Sequence, residues 1–353
     1  MQLLKVFAFL YFLVNTTAFL SKSSFPIIDK TLSSIKSIQK NELQNNENNT
    51  NSLFTVLPRF TIQEKTNGLL KLIRPVNIAP TFLLASFGGW LMNPSIYSLI
   101  HLSKYIVALV DTVIIMSSSM VINDIYDIEI DKLNNPTRPL VTGVVTVKEA
   151  ILFSVLLLSI VEYLSITFLS PNLQFIIHGI IIYINIYTPV LKKITLIKNI
   201  SCASLVSFSV FFSALSTTNT ILSVNPNFNI LSITLNLIFF GSLYNELLLD
   251  MCDREGDKKN KIYTLPVIFG NQNTWIFTAL ILNGNILLNA FSLYYIFDYY
   301  KGLLLILICS PMLYDLYKIE ESKYDKTVIT KAVKQTSNIM FLILLYLGFL
   351  TIL

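Results

Sequence analysis

From Arg74 to the carboxyl terminus the sequence alternates between long apolar stretches and short polar ones. Nine apolar stretches are long enough to cross a bilayer, at roughly 76–91, 105–122, 150–169, 173–186, 200–215, 230–249, 275–293, 303–316 and 339–353. The fourth and eighth are the shortest. Lipid offers no partner for backbone N–H and C=O groups, so each stretch is expected as a helix that satisfies its own backbone. The pattern predicts an all-α, polytopic membrane protein of about nine transmembrane helices.

The polar stretches then orient the array. Lys132, Arg138 and Lys148 fall between stretches two and three, and Lys192, Lys193 and Lys198 between four and five. Arg254, Lys258, Lys259 and Lys261 follow the sixth stretch, and Lys318, Lys323, Lys326, Lys331 and Lys334 the eighth. The alternate loops hold almost no basic residue, Lys104 and Lys301 excepted. By the positive-inside rule the basic loops share the cytosol-equivalent side.

The amino terminus carries a different pattern. Residues 1–18 read as a signal peptide: Lys5, an apolar run from Val6 to Val14, then the small-residue exit Thr16-Thr17-Ala18. Phe19 and a segment rich in Ser and Lys follow, and residues 41–52 are almost all Asn, Glu and Gln, with too little apolar content to fold. That order resembles the bipartite presequences of algae whose plastids came from a secondary endosymbiont, which implies an integral membrane protein of the plastid. An ordinary secretory signal, leaving the protein in the endomembrane system, is the alternative. The expected organisation is a signal peptide over 1–18, a transit-like and Asn-rich disordered segment over 19–65, and a membrane domain over 66–353.

Composition agrees with the pattern: of 353 residues 53% are hydrophobic and 13% charged, as in a polytopic membrane protein. The net charge of +5 is scattered among loops and does not indicate nucleic acid as a partner. Cys202, Cys252 and Cys309 are far apart and have neither disulfide nor zinc-ligand spacing.

Candidate chemistry sits at the ends of two apolar stretches. Asp124, Asp127 and Asp131 stand at i, i+3 and i+7, which on one helix puts three carboxylates within an arc of roughly 60°. Asn123 lies beside them. Like charges so close repel unless a cation is present, and Mg²⁺ takes oxygen ligands of this kind while leaving room for phosphate oxygens. One acidic helix end is equally well a solvated face. The spacing recurs, however, at Asp250, Asp253 and Asp257, again after an apolar stretch and beside basic residues. The loop charges place both triads on the same side. Two facing Mg²⁺ sites for a diphosphate follow, with Arg138, Lys192 and Arg254 as candidates for the remaining phosphate charge.

At these residues the chain resembles the UbiA superfamily of intramembrane prenyltransferases. The first signature is complete at Asn123, Asp124, Asp127 and Asp131 and continues to Arg138-Pro139 and Gly143; the second is present at Asp250, Asp253 and Asp257. Arg74-Pro75 with Asn77 looks like the family's entry motif, and Tyr187 with Lys192 like its tyrosine–lysine motif. Three positions depart from the pattern. Leu249 replaces a common basic residue, Asn245 an arginine often paired with Glu246, and Lys198 a usual glycine. The resemblance implies helices bundled around a central substrate cavity and six aspartates as catalytic metal ligands for Mg²⁺. It also implies substrate contacts from Asn77, Asn123, Arg138, Tyr187, Lys192 and Arg254, with a prenyl diphosphate and a lipophilic acceptor as the substrates.

Diphosphate departure leaves an allylic cation, which apolar walls shield from water and aromatic faces stabilise. Tyr126, Tyr187, Phe239 and Phe240 are at a suitable depth, although packing is the commoner role for an aromatic residue. Asp111, inside the second stretch on nearly the opposite face from Asp124, is either functional or hydrogen-bonded to a neighbouring helix. His101 and His178 have no partner spacing and are expected to be structural. Three functions are compatible with the residues: prenyl transfer to an acceptor, cyclisation of the prenyl diphosphate, and ion transport. A transporter would carry acids deep within its spans and on both sides, whereas these cluster at one face. Transfer to an aromatic or ring-bearing acceptor such as homogentisate or a quinone precursor is the expected activity.

Overall fold

The computed structural model describes residues 60–218, 225–259 and 262–352. The signal peptide, nearly all of the Asn-rich segment, and Lys261 lie outside the described residues. The first element, α1 (Ile62–Leu72), begins four residues before the expected boundary at 66. A capping box explains its start: Glu64 N–H donates to Thr61 Oγ1 (3.2 Å), and Thr61 N–H to Glu64 Oε2 (2.7 Å). α1 is amphipathic, and Lys65 ties it to Glu149 at the start of a later span (2.6 Å).

The chain turns at Arg74, whose φ of 49° is left-handed, and Pro75 opens a short 3₁₀ turn into α2 (Ile78–Met92). The remaining helices are α3 (Ile96–Ile100), α4 (Ser103–Tyr126), α5 (Ile128–Asn134), α6 (Pro139–Thr142), α7 (Val147–Phe168) and α8 (Pro171–Tyr187). After them come α9 (Ile197–Thr217), α10 (Phe228–Lys259), α11 (Leu265–Ile296), α12 (Tyr299–Glu321) and α13 (Lys326–Leu350). Each of the nine expected stretches coincides with one long helix. Among the described residues, seven are long and apolar enough to cross a membrane individually. α2 reaches that length only together with α1, from which it bends by 42°, and α8 has 17 residues.

The long helices form two packed groups. α4, α7 and α8 share an apolar core with Phe212 of α9, and α10 to α13 share a larger one with the ends of α2 and α9. α2 and α9 pack along the seam between the groups. Their approach is close because a Cβ on Gly88 would lie 2.0 Å from the Val210 carbonyl oxygen, and Ser213 Oγ donates to the Ala85 carbonyl. Trp90 Nε1 donates to the Gly348 carbonyl (3.2 Å) and so joins α2 to α13. Gly88→Ala forces the seam apart. Overpacking of this kind costs about 1–3 kcal/mol and is expected to lower the thermal midpoint of detergent-purified protein by about 2–6 °C. An unchanged midpoint would show that the seam yields freely.

α10 carries the second triad. Its 32 residues span about 48 Å, against about 30 Å of hydrocarbon, and the triad begins at the edge of the apolar core, where Asp250 is buried beside Met251 and Asp253 is exposed. At the neighbouring α13 start, Asp325 caps the helix. The Thr327 hydroxyl and the Val328 and Thr327 amides hold its carboxyl below the usual range.

Candidate active site

The first triad does not lie on one straight helix. α4 ends at Asp127 (φ −93°, ψ 5°), and α5 starts immediately after it, so Asp131 belongs to a separate short helix. The geometry that reunites the acids comes from Arg138, which precedes Pro139 and is therefore held extended (φ −65°, ψ 143°). Its Nη1 reaches Asp124 Oδ1 (2.5 Å) and Asp131 Oδ2 (2.7 Å), both carboxylates being only 4% exposed. Arg74 Nη2 approaches the same Asp124 oxygen (2.8 Å). Asp127 is held from the other side: Asn123 Nδ2 donates to its Oδ2 (2.8 Å), and Lys192 Nζ lies 2.5 Å from that oxygen and 2.9 Å from Asn123 Oδ1.

The second triad divides. Asp250 is 3% exposed and receives Lys198 Nζ (2.7 Å) and Asn199 Nδ2 (2.8 Å) from the first turn of α9. Asp257 is half-buried and accepts from Thr264 Oγ1 (3.2 Å). Asp253 stands apart, with its side chain 64% exposed and 3.5 Å from Lys326 of α13. Arg254, expected to contact phosphate, is half-buried, and its Nε has no hydrogen-bond partner.

The α8–α9 connection explains how the two ends meet. α8 is short, and the chain after Tyr187 makes a 3₁₀ turn (Leu191–Lys193) before α9 begins. This segment sends Lys192 to the first triad and Lys198 to the second. Thr195 Oγ1 donates to the Tyr263 carbonyl and pins the loop to the segment that follows the second triad. Both triads therefore open at one end of the bundle, as the loop charges had implied.

Beneath them lies a cavity of about 700 Å³ between α2, α4, α8 and α9. Its polar mouth is formed by Arg74, Asn77, Asn123, Lys192, Lys198 and Glu246. Its depth is apolar, with Ile177, Ile184, Leu205, Phe208 and Phe212 among the walls. Tyr187 also lines it, with its hydroxyl 2.9 Å from Cys202 Sγ.

Several expectations change here. Of the four aromatics expected near the cation, Tyr187 alone lines the cavity. Tyr126 is exposed, and Phe239 and Phe240 pack on one another and against Ala203 and Leu247. Phe208 and Phe212, stacked with centroids 5.8 Å apart, take that place. Arg74, which opens the entry motif, is paired with Asp124 of the first triad. Lys198 and Asn199 on Asp250 were missed as partners, although the unusual lysine before that asparagine was a visible signal. Acids are also not confined to the mouth: Asp111, Glu162 and Asp315 are buried within spans. His178 is not isolated, since its Nε2 lies 3.1 Å from Glu162 Oε2.

Residues 78–350 match the UbiA prenyltransferase family. The chain belongs to that family. It is thus an intramembrane prenyltransferase, and membership carries no statement of its acceptor. It is 34% identical over 218 residues to a digeranylgeranylglyceryl phosphate synthase of Sulfolobus acidocaldarius, covering 60% of this chain and 73% of that one. The synthase of the same name from Methanocaldococcus jannaschii is 29% identical over 295 residues, covering 79% and 95%. Among solved structures, a UbiA homolog from Archaeoglobus fulgidus bound to GPP and Mg²⁺ shares the fold with a TM-score of 0.58 and 20% identity, over 81% of this chain and 99% of that one. A structure described for digeranylgeranylglyceryl phosphate synthase gives a TM-score of 0.64 at 23% identity, over 81% and 98%.

Proposed function

We propose that this UbiA prenyltransferase transfers a prenyl group from an isoprenoid diphosphate to a lipophilic acceptor with an anionic head, within the membrane and with Mg²⁺ as cofactor. The observation that carries the proposal is the mouth itself. Arg74, Lys192 and Lys198, which neutralise aspartates at two helix ends, meet at the polar mouth of one apolar cavity.

The donor set fits a magnesium site. Its side chains are oxygen donors, and the acids Asp124, Asp131 and Asp250 are buried and each is paired with an arginine or lysine side chain that can turn to another anion, Asn135 and Asn199 holding Asp131 and Asp250 in addition. Among the described residues no three acidic, His or Cys side chains converge closely enough to hold a metal alone. Mg²⁺ commonly takes only one or two carboxylates and completes its shell with water and phosphate, which suits this arrangement. Asp124, Asp127 and Asp131 would hold one ion, and Asp250 and Asp257 the other, with Asp253 contributing least. Bound there, the ions neutralise and polarise the departing diphosphate.

The chain's own residues do the rest. Arg138 and Arg74, released from Asp124, donate to phosphate oxygens, as does Lys192. Asn77 and Asn123 position the two substrates at the mouth. The allylic C–O bond breaks with its electron pair leaving on diphosphate. The acceptor oxygen or ring carbon forms the new bond to the allylic carbon, and its proton passes to solvent at the mouth. Phe208, Phe212 and Tyr187 border the cavity in which the allylic cation is sheltered.

Lys198 points to the acceptor. With Arg74 and Lys192 it adds a third cation at the cavity mouth, where the family usually has glycine, and this suits a second anionic group. The names of the archaeal relatives favour a phosphoglycerol lipid such as geranylgeranylglyceryl phosphate. Homogentisate, whose ring bears a carboxylate, is the second candidate, supported by the plastid-type leader. The experiment is product analysis of purified protein given geranylgeranyl or phytyl diphosphate with either acceptor. We expect prenylated phosphoglycerol lipid in excess. Homogentisate as the better acceptor would reverse the assignment, and neither acceptor reacting would remove the anionic-head proposal. The leader itself is tested by a fluorescent fusion of residues 1–65 in an alga with complex plastids. Plastid delivery, lost on Phe19→Ala, is expected; retention in the endoplasmic reticulum with Phe19 intact would contradict it.

A further inference from the structure

The cavity beneath the triads has a closed far end. From its mouth it runs along α9 from Lys198 to Phe212, along α4 from Asn123 to Thr112, and along α8 from Tyr187 to Ile177. At a rise of about 1.5 Å per residue these walls measure about 21 Å, about 16 Å and about 15 Å. α2 lines it only as far as Leu84.

Just past these residues the helices close on one another. Ser213, next to Phe212 on α9, donates from Oγ to the carbonyl of Ala85, next to Leu84 on α2. Tyr105 of α4 donates from its hydroxyl to the Ser86 carbonyl (3.0 Å), and its ring is so near α2 that a Cβ on Gly89 would lie 2.1 Å from it. Phe212 and Ile177 themselves share one buried cluster with Val107 and Ala108 of α4 and Leu173 of α8. The Phe212 side chain is 1% exposed, and its ring is stacked on Phe208, one turn nearer the mouth, at 15° between planes. An apolar chain entering from the mouth therefore meets a fixed aromatic ring with packed helices behind it.

The chain that has to fit is an isoprenoid. Each isoprene unit adds four bonds to its main chain, and an extended chain advances about 1.2 Å per bond. A farnesyl chain is then about 13 Å long, a geranylgeranyl chain about 18 Å and a geranylfarnesyl chain about 23 Å. The first leaves the far end unfilled, the second reaches it, and the third exceeds every wall. Empty apolar space and overpacking are both unfavourable. We propose that Phe212, with Thr112 and Ile177 at the same end, is the stop for the prenyl chain and selects a donor of four isoprene units. The inference rests on the placement of the diphosphate between the triads. Phe212 sets the limit because its ring separates the cavity from Val107, Ala108 and Leu173, so a smaller side chain there lengthens the cavity. Thr112 is half-buried in the α4 wall, and a larger side chain there shortens it.

The test measures binding, so it does not depend on the acceptor. Dissociation constants of farnesyl, geranylgeranyl and geranylfarnesyl diphosphate are determined by calorimetry with Mg²⁺ for the full chain, Phe212→Ala and Thr112→Phe. All are purified in one detergent, so that partition of the ligands into micelles cancels in the ratio of variant to wild type. In Phe212→Ala that ratio is expected to favour geranylfarnesyl over farnesyl diphosphate by about tenfold or more. Thr112→Phe is expected to weaken geranylgeranyl diphosphate by about tenfold or more and farnesyl diphosphate by less than about threefold. A purely structural role would change all lengths alike, and that result overturns the proposal. Should both variants fail to fold, the wild type decides: geranylfarnesyl diphosphate binding tenfold tighter than geranylgeranyl diphosphate would show a chain that passes the stop. Failure of every length to bind, farnesyl included, would instead remove the diphosphate from the triads and the stop with it.

Discussion

Asp124→Asn is expected to reduce turnover by about a thousandfold or more, some 4 kcal/mol of transition-state stabilisation, while the protein still extracts as a monodisperse species. Asp124 is where the charges of the first site converge: Arg74 and Arg138 both lie on its Oδ1, and Arg138 links it to Asp131. Asparagine preserves the shape but removes the charge that would hold a metal and keep the two arginines in position. The protein should survive because both guanidinium groups retain some solvent contact and Arg138 keeps Asp131. Turnover per folded molecule, measured at saturating Mg²⁺ and prenyl diphosphate, checks this. Activity within tenfold of wild type would exclude Asp124 as a metal ligand.

The second triad should respond unequally, and that inequality is a stronger test than any single loss. Asp250→Asn is expected to cost about a hundredfold to a thousandfold, because a buried carboxylate held by Lys198 and Asn199 is lost from the mouth. Asp253→Asn is expected to cost less than about tenfold, since Asp253 is largely in solvent and its long contact with Lys326 is a weak surface pair. Parallel rate measurements on the two variants decide the matter. Equal losses would mean that Asp253 turns inward during turnover and that the three acids act as one ligand set.

The membrane helices were legible because their signal is coarse. Apolar length and loop charge survive errors of several residues, and each of the nine stretches became a helix. The triads were legible for a related reason, since spacing places residues on a helix end whether or not the helix continues. The break at Asp127 was not, and the contact that reunites Asp124 with Asp131 across it comes from Arg138, fourteen residues after Asp124. Nor could periodicity choose among aromatics at similar depth. Phe208 and Phe212 line the cavity because α9 lies at the seam between the two helix groups, and that placement is a tertiary fact. His178 looked isolated for the same reason: Glu162 reaches it from another helix.

One mouth, framed by both helix ends, is expected to release diphosphate only as it joins a prenyl group to a second molecule. That coupling is tested most directly by counting both products in one vessel. Purified protein is incubated with labelled geranylgeranyl diphosphate and acceptor, with Mg²⁺ or with a chelator in excess, and released diphosphate is compared with prenylated acceptor. The account predicts equal amounts of the two with Mg²⁺ and neither with chelator. Diphosphate released without acceptor, accompanied by a cyclic hydrocarbon, would contradict it and identify a cyclase.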